Sequence, residues 1–285
     1  MKIIIFGGNG FLGKRLKTYL IKKNFIVQTA GKSPNNDIQL DVTESNLIKL
    51  LKPYNFQIAI NLIAITDIAF CEKNSKECFS VNVLGAKRIA EYCSEYNIYA
   101  INISTDMVYN SFRFSSENEE KPINKYGFSK LNAEKEFMKI KSASLRLAFL
   151  GKSVDREKGF VDWLINSNSS PEKINLWDNI YSTPISIKDT LEVINITLKR
   201  KLNGIFNVGC SEEFTKYNFG CNLLKKLDLS LLNIKKEEYI NTSNNIKRPL
   251  GMSMNSCKFI NYTGWKQPDL STTIKNVAND YLNEN

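Results

Sequence analysis

The chain has 285 residues, in which Lys and Arg exceed Asp and Glu by ten and histidine is absent. Without histidine there is no Ser-His-Asp triad, His-ligated metal or imidazole acid–base catalysis, so any catalyst must use Tyr, Lys, Ser, Thr, Cys or carboxylates. The cations are scattered, not gathered into a basic stripe with interleaved aromatics, which reads as a solvated face and argues against nucleic acid.

Ile3-Ile4-Ile5-Phe6 is a short apolar run that predicts a buried strand. It begins at the very start of the chain, leaving no room for a leader; with no bilayer-length apolar stretch, a cytoplasmic protein without a membrane partner is expected. Gly7, Gly10 and Gly13 follow in Gly-Gly-Asn-Gly-Phe11-Leu12-Gly, and an amphipathic segment from Leu12 to Ile21 carries Leu16 and Leu20 at helical spacing. Such a strand–turn–helix brings backbone N–H groups to a pyrophosphate: Gly7 makes the turn, Gly10 the close approach and Gly13 the helix–strand packing.

The second strand, Phe25 to Thr29, runs on into Ala30-Gly31-Lys32-Ser33 with no carboxylate at its end. An acid there favours NAD through the ribose hydroxyl, whereas a cation accommodates a 2′-phosphate, so NADPH is expected over NADH. Lys32 is otherwise a solvated loop residue. Asp41-Val42 closes a third strand, Ile38 to Leu40, where it would meet an adenine; Asp41 equally suits the cap of a helix from Glu44 to Leu51. Strands at Phe56 to Ile63, Ile98 to Ile103 and Ala143 to Leu147 alternate with helices at Ser80 to Tyr96 and Tyr126 to Ile140. This alternation predicts an α/β fold, a Rossmann-type doubly wound parallel sheet. The six cysteines (Cys71, Cys78, Cys93, Cys210, Cys221, Cys257) contain no Cys-x-x-Cys and sit mostly among apolar residues. Reduced, buried thiols and no metal site are expected.

Ile101-Asn102-Ile103-Ser104-Thr105-Asp106 carries hydroxyls to the carboxyl end of a buried strand, where open α/β sheets place their ligands. Tyr126 and Lys130 follow as Tyr-x-x-x-Lys, on one face of a predicted helix. An ammonium near a phenol favours the phenolate, so Tyr126 would pass a proton, Lys130 would also hold a nicotinamide ribose, and Thr105 would orient a carbonyl. Beyond Gly151 the rhythm loosens: a helix from Ile187 to Leu198, a strand from Ile205 to Val208 and a helix from Lys216 to Leu227. The expected organisation is a cofactor domain over 1–150 and a substrate lobe over 151–285, with segments of the lobe returning to the main sheet.

These motifs resemble the extended short-chain dehydrogenase/reductases, and among them the dTDP-4-dehydrorhamnose reductase family. Ser104-Thr105-Asp106-Met107-Val108-Tyr109 is similar to its Ser-Thr-Asp-Tyr-Val-Phe block, and Tyr126-Gly-Phe-Ser-Lys130 to its Tyr-Gly-x-Ser-Lys block. Asn61-Leu-Ile-Ala64 resembles the loop beside its cofactor, Val81-Asn82-Val-Leu-Gly85 its Val-Asn-x-x-Gly helix, and Arg248-Pro249 with Ser253-Met254-Asn255 its Arg-Pro-x-x-Ser-x-Leu-Asp segment. The resemblance implies hydride reduction of a nucleotide-linked 4-keto-6-deoxy sugar, with Thr105, Tyr126 and Lys130 catalytic and Thr105, Asp106, Phe149 and Arg248 facing substrate. A homodimer is the expected assembly. The family's Arg-Thr-Ser-Trp reads Arg146-Leu-Ala-Phe149 here, and its Gly-x-Pro-Thr stretch is not matched by Tyr181-Ser-Thr-Pro184-Ile185, departures that fall on the substrate side.

Overall fold

A computed structural model describes residues 1–153 and 159–282, and within them the chain forms two units, each treated separately. The first comprises Met1–Val108, Pro122–Arg146 and Leu191–Phe206. Its strands are β1 (Lys2–Phe6), β2 (Ile26–Gly31), β3 (Ile38–Gln39), β4 (Ile58–Asn61) and β5 (Tyr99–Ile103). With β6 (Ser111–Ser115) assigned to the other unit, β7 (Ser142–Arg146) follows. After the short β8 (Phe149–Leu150), β9 (Ile174–Trp177) and β10 (Ile185–Ser186), the chain returns to the main sheet as β11 (Gly204–Asn207). That sheet has seven strands in the order β11-β7-β5-β4-β1-β2-β3, and the registers of β1 to β5 and β7 are parallel.

Ile3, Ile4, Ile5 and Phe6 are wholly buried, as an unbroken apolar run must be when helices cover both faces of a parallel sheet. Helices α1 (Phe11–Lys22), α5 (Gly85–Glu95) and α6 (Lys125–Phe137) pack on the strands, α2 (Leu47–Leu51) joins the same core beside α5, and α3 (Ile68–Lys73) and α4 (Ser75–Phe79) pack against α6. The helix expected from Glu44 starts later, at Leu47, because Asp41 turns back onto the Thr43 N–H and hydroxyl (2.9 and 2.8 Å). The helix expected from Ser80 opens as a π-helical stretch over Ser80–Leu84 before α5, a distortion that often marks a functional position. At the outer edge, the Tyr99 hydroxyl donates to the Leu202 carbonyl (2.6 Å) and the Ser142 N–H to the Asn203 side chain (3.2 Å). Strand order reverses between β1 and β4, and at such a switch point the carboxyl ends of neighbouring strands open a crevice. Gly7, Ile63-Ala64 and Ser104-Thr105 lie just beyond the ends of β1, β4 and β5.

The second unit comprises Tyr109–Lys121, Leu147–Thr190 and Asn207–Asn285. Its helices include α7 (Phe160–Asn168), the first turn of α8 (Ile187–Arg200), α9 (Lys216–Lys226), α10 (Cys257–Thr263) and α11 (Leu270–Leu282). It also holds β12 (Ile234–Glu237), parallel to β9, and β13 (Met252–Met254), parallel to β6. Phe214 stacks on Phe219 with centroids 5.3 Å apart, and Phe259 meets Trp265 edge-on at 5.7 Å, giving this unit its own aromatic core.

Candidate active site

The glycine turn is a cradle with little room for side chains. Gly7 has φ +86°, a left-handed conformation open to residues without Cβ, and its N–H donates to the Ala30 carbonyl at 2.8 Å. A Cβ on Gly13 would lie 2.4 Å from the Gly7 carbonyl oxygen, whereas one on Gly10 would meet only that oxygen, at 3.3 Å. Gly8, to which the sequence reading gives no role, is as constrained as Gly13: its Cβ would lie 2.1 Å from the Thr29 methyl. Gly10 caps α1 without a side-chain hydrogen bond and no acid stands in the first turn, so the amides of Phe11, Leu12 and Gly13 and the positive end of the helix dipole suit an anion. The Asn9 amide nitrogen, in the same turn, is buried without a partner. These residues fit a dinucleotide.

Around the second strand the picture is more crowded than the sequence suggests. Lys32 pairs with Asp41 (2.9 Å), and although burial works against the Asp41 charge, the Lys32 ammonium and the Thr43 bonds outweigh it and hold the carboxyl below its ordinary value. A carboxylate does reach the strand: Asp37 accepts from the Thr29 N–H (2.7 Å) and hydroxyl (2.9 Å), and from Lys17 (2.8 Å). Spacing along the chain hides it, because a loop intervenes. Val42 is buried, next to Gly85, whose Cβ would lie 2.7 Å from a Val42 methyl. The Ala64 loop is pinned on both sides, by the Ile63 N–H to Asn61 (3.1 Å) and by Asn82, which accepts from the Ile65 N–H (2.7 Å) and donates to its carbonyl (3.0 Å).

Thr105, Asp106, Tyr126 and Lys130 are all buried and lie in the first unit. The Tyr126 phenol meets the Thr105 hydroxyl, which also donates to Asp106 Oδ1 (3.1 Å) and accepts from the Met107 N–H (3.2 Å). Helix α6 can come this close because Asn124 caps it, accepting from the Gly127 N–H at 2.8 Å, and because Gly127 lacks a Cβ, which would stand 2.4 Å from the Met107 carbonyl oxygen. Burial pushes the Asp106 carboxyl up to about 6, against the bond from Thr105.

The expected electrostatics of the Tyr-x-x-x-Lys pair do not hold in the free protein. Burial raises the Tyr126 phenol well above its ordinary value, reinforced by Asp106 and opposed by Thr105, and Lys130 does not relieve it. The Lys130 ammonium instead donates to the Ile103 carbonyl at 2.7 Å and is itself pushed down to about 8 by burial, against the attraction of Glu134. Helical spacing puts both residues on one face but does not decide where a long side chain ends. Below them, Glu134 accepts from Arg146 (Nε 2.9 Å, Nη2 2.6 Å) and from the Ser104 hydroxyl, with both charges fully buried; Arg146 is therefore structural.

In the second unit, Phe149 is half-buried in β8. The Arg248 guanidinium lies 4.9 Å from the centre of the Trp177 ring and 5.7 Å from that of Tyr239. Lys216 approaches Trp177 at 4.8 Å and Phe160 at 5.1 Å. Lys216 as a residue is exposed, yet its ammonium is packed among rings; desolvation, then Arg248, pushes it down to about 8. Neither cation has a carboxylate partner among the described residues. Lys216 is not among the site residues expected from the sequence, although a lysine in the first turn of a helix opposes the dipole and is a signal in itself. No group of three or more Cys, Asp or Glu among the described residues is placed to hold a metal, and no described helix is long and apolar enough to cross a membrane.

The family model described as the RmlD substrate binding domain matches residues 1–283. A probable low-salt glycan biosynthesis reductase of Haloferax volcanii is 26% identical over 234 residues, covering 77% of this chain and 78% of its own. A dTDP-4-dehydrorhamnose reductase of Sinorhizobium fredii is 26% identical over 238 residues, with 77% of each chain covered. Among solved structures, a dTDP-4-dehydrorhamnose reductase of Bacillus anthracis in complex with NADP superposes with a TM-score of 0.87 at 22% identity, over 100% of this chain and 99% of that one.

Proposed function

The chain belongs to the RmlD substrate binding domain family, and from that membership we propose that it is an NADPH-dependent oxidoreductase that reduces the C4 keto group of a nucleotide-linked 4-keto-6-deoxy sugar. The observation that carries the reading is the Tyr126 phenol against the Thr105 hydroxyl, with Lys130 on the same helix. The substrate we assign is dTDP-4-dehydro-L-rhamnose, with dTDP-L-rhamnose as product; NADH is the alternative donor.

When bound, the nicotinamide supplies the hydride. Gly7, Gly10, Phe11, Leu12 and Gly13 would hold its diphosphate, Asp41 and Val42 the adenine, and Ala64 and Lys130 the nicotinamide end, while Lys32 would give up Asp41 to meet a 2′-phosphate. Thr105 donates to the substrate carbonyl and Tyr126 gives its proton to the same oxygen as negative charge develops there. A phenol with a raised pKa keeps that proton until the oxygen becomes basic enough to take it. In the free protein the single Thr105 proton goes to Asp106 Oδ1 and the Met107 N–H donates to the Thr105 oxygen; on substrate binding the hydroxyl would give up Asp106 and turn its proton to the carbonyl. Arg248 and Lys216, two cations with no carboxylate partner among the described residues and both against the Trp177 ring, would suit the diphosphate and base of the nucleotide, and Phe149 is assigned to the substrate with them.

The test is absorbance-monitored oxidation of NADPH, and of NADH in parallel, with freshly generated dTDP-4-keto-6-deoxy-L-mannose. Tyr126→Phe should lower kcat by about 10²–10⁴-fold while cofactor affinity stays within about threefold, the range for loss of a general acid. Retained turnover in that variant removes Tyr126 from the chemistry. Turnover only with another nucleotide sugar transfers the assignment to a different reductase or an epimerase of this fold.

A further inference from the structure

Cys71 and Cys78 are seven residues apart, in α3 and α4. In one continuous helix such residues would be about 10 Å apart along the axis, at 1.5 Å rise per residue, and their sulfurs would never meet. Here Asn74 breaks the helix with φ −119° and ψ 54°, and the two sulfurs approach to 2.6 Å, far inside the ordinary contact of two thiols. The Cys71 S–H also has the Ile65 carbonyl within reach (3.5 Å). Both residues are buried, but Cys78 borders a groove of about 580 Å³ between α4 and α6, lined also by Lys76, Phe79, Phe128 and Ser129.

The pair is wired to the catalytic helix. Cys78 Sγ lies 3.5 Å from the Asn82 amide and 3.7 Å from the Ser129 hydroxyl. Asn82 donates to Ser129 (2.8 Å), and Ser129 donates to the backbone carbonyl of Tyr126 (2.7 Å). Asn82 is also the residue that pins the Ala64 loop.

We propose that Cys71 and Cys78 form a reversible intramolecular disulfide, a site of oxidative modification that displaces Tyr126 through Asn82 and Ser129. The oxidant is a low-molecular-weight disulfide entering from the groove. Cys78 loses its proton to water and its sulfur attacks one sulfur of that disulfide, releasing one small thiol and leaving a mixed disulfide. The deprotonated Cys71 sulfur then attacks Cys78 Sγ and releases the second small thiol, so two protein thiols lose two electrons and two protons to the small disulfide. Burial raises the Cys71 thiol above its ordinary value, so exchange is slow at neutral pH and faster in alkali. The sulfurs draw in from 2.6 Å to a bond of about 2.05 Å, the S–H donor of Cys78 is lost, and Ser129 must re-pair.

The test incubates the full chain with oxidised glutathione until the exposed Cys257 is modified, then alkylates it under denaturing conditions and maps peptides by mass spectrometry. The expected product is a Cys71–Cys78 linked peptide, lighter by two hydrogen atoms and abolished by dithiothreitol, with NADPH turnover falling about tenfold and recovering on reduction. Cys71→Ala should leave Cys78 as a glutathione mixed disulfide or unmodified, and unlinked. Recovery of both residues as free thiols once Cys257 has reacted overturns the proposal. A linked peptide with unchanged kcat overturns the connection to Tyr126. The disulfide arm needs no activity, so its failure is distinguishable from failure of the reductase reading on which the turnover arm rests.

Discussion

Arg146→Met removes a guanidinium that is fully buried, bonded to both oxygens of Glu134 at 2.9 and 2.6 Å. The Glu134 carboxylate keeps the Ser104 hydroxyl and the attraction of the Lys130 ammonium but loses its hydrogen-bonded counter-charge in an interior where a poorly compensated ion is costly. Breaking a buried pair from one side costs about 3–5 kcal/mol, whereas replacing both partners with apolar groups is often close to neutral. Arg146→Met alone should therefore lose about 4 kcal/mol in urea denaturation followed by far-ultraviolet circular dichroism. The Arg146→Met/Glu134→Leu double variant should recover most of that loss, less about 1–3 kcal/mol for the Ser104 hydroxyl left without its acceptor. Loss of less than about 1 kcal/mol in the single variant, or a double variant as unstable as the sum of the two singles, would refute the argument, because additivity means that the charges do not interact.

Gly13→Ala drives a Cβ to 2.4 Å from the Gly7 carbonyl oxygen; it should cost about 1–3 kcal/mol and weaken NADPH binding at least tenfold by calorimetry. Gly10→Ala has only a 3.3 Å neighbour, so the free protein should melt within a few degrees of wild type while cofactor binding still falls, which separates space needed by the fold from space needed by the ligand. Lys216, pushed down to about 8, is charged below that pH and neutral above it; KM for the nucleotide sugar should rise through about 8, and Lys216→Met should lose that limb. Lys130 also binds its proton less tightly when folded, at about 8 against an ordinary value of 10.5. The unfolded chain then holds more protons between those values, so this group makes stability rise with pH across that window. Lys130→Met should flatten the rise when urea midpoints are compared between about pH 7.5 and 9.5.

Local spacing determined a good deal of this protein. The glycine triplet after Ile3–Phe6, the alternation of apolar runs with helical patterns, the hydroxyl pair ending β5 and Tyr126 four residues before Lys130 all depend on neighbours along the chain, where period and steric constraint are readable. What tertiary structure alone decided involves partners distant in sequence or side chains with many rotamers. Asp37 returns to Thr29 across a loop, and Gly8 is required because of Thr29. Glu134 is held by Ser104 and Arg146, Asn82 fastens both the Ala64 loop and Ser129, and Cys71 meets Cys78 only because Asn74 breaks a helix. The Lys130 ammonium turned to the Ile103 carbonyl for the same reason: helical period directs its Cα–Cβ bond, but burial and the nearest acceptor choose where four methylenes end.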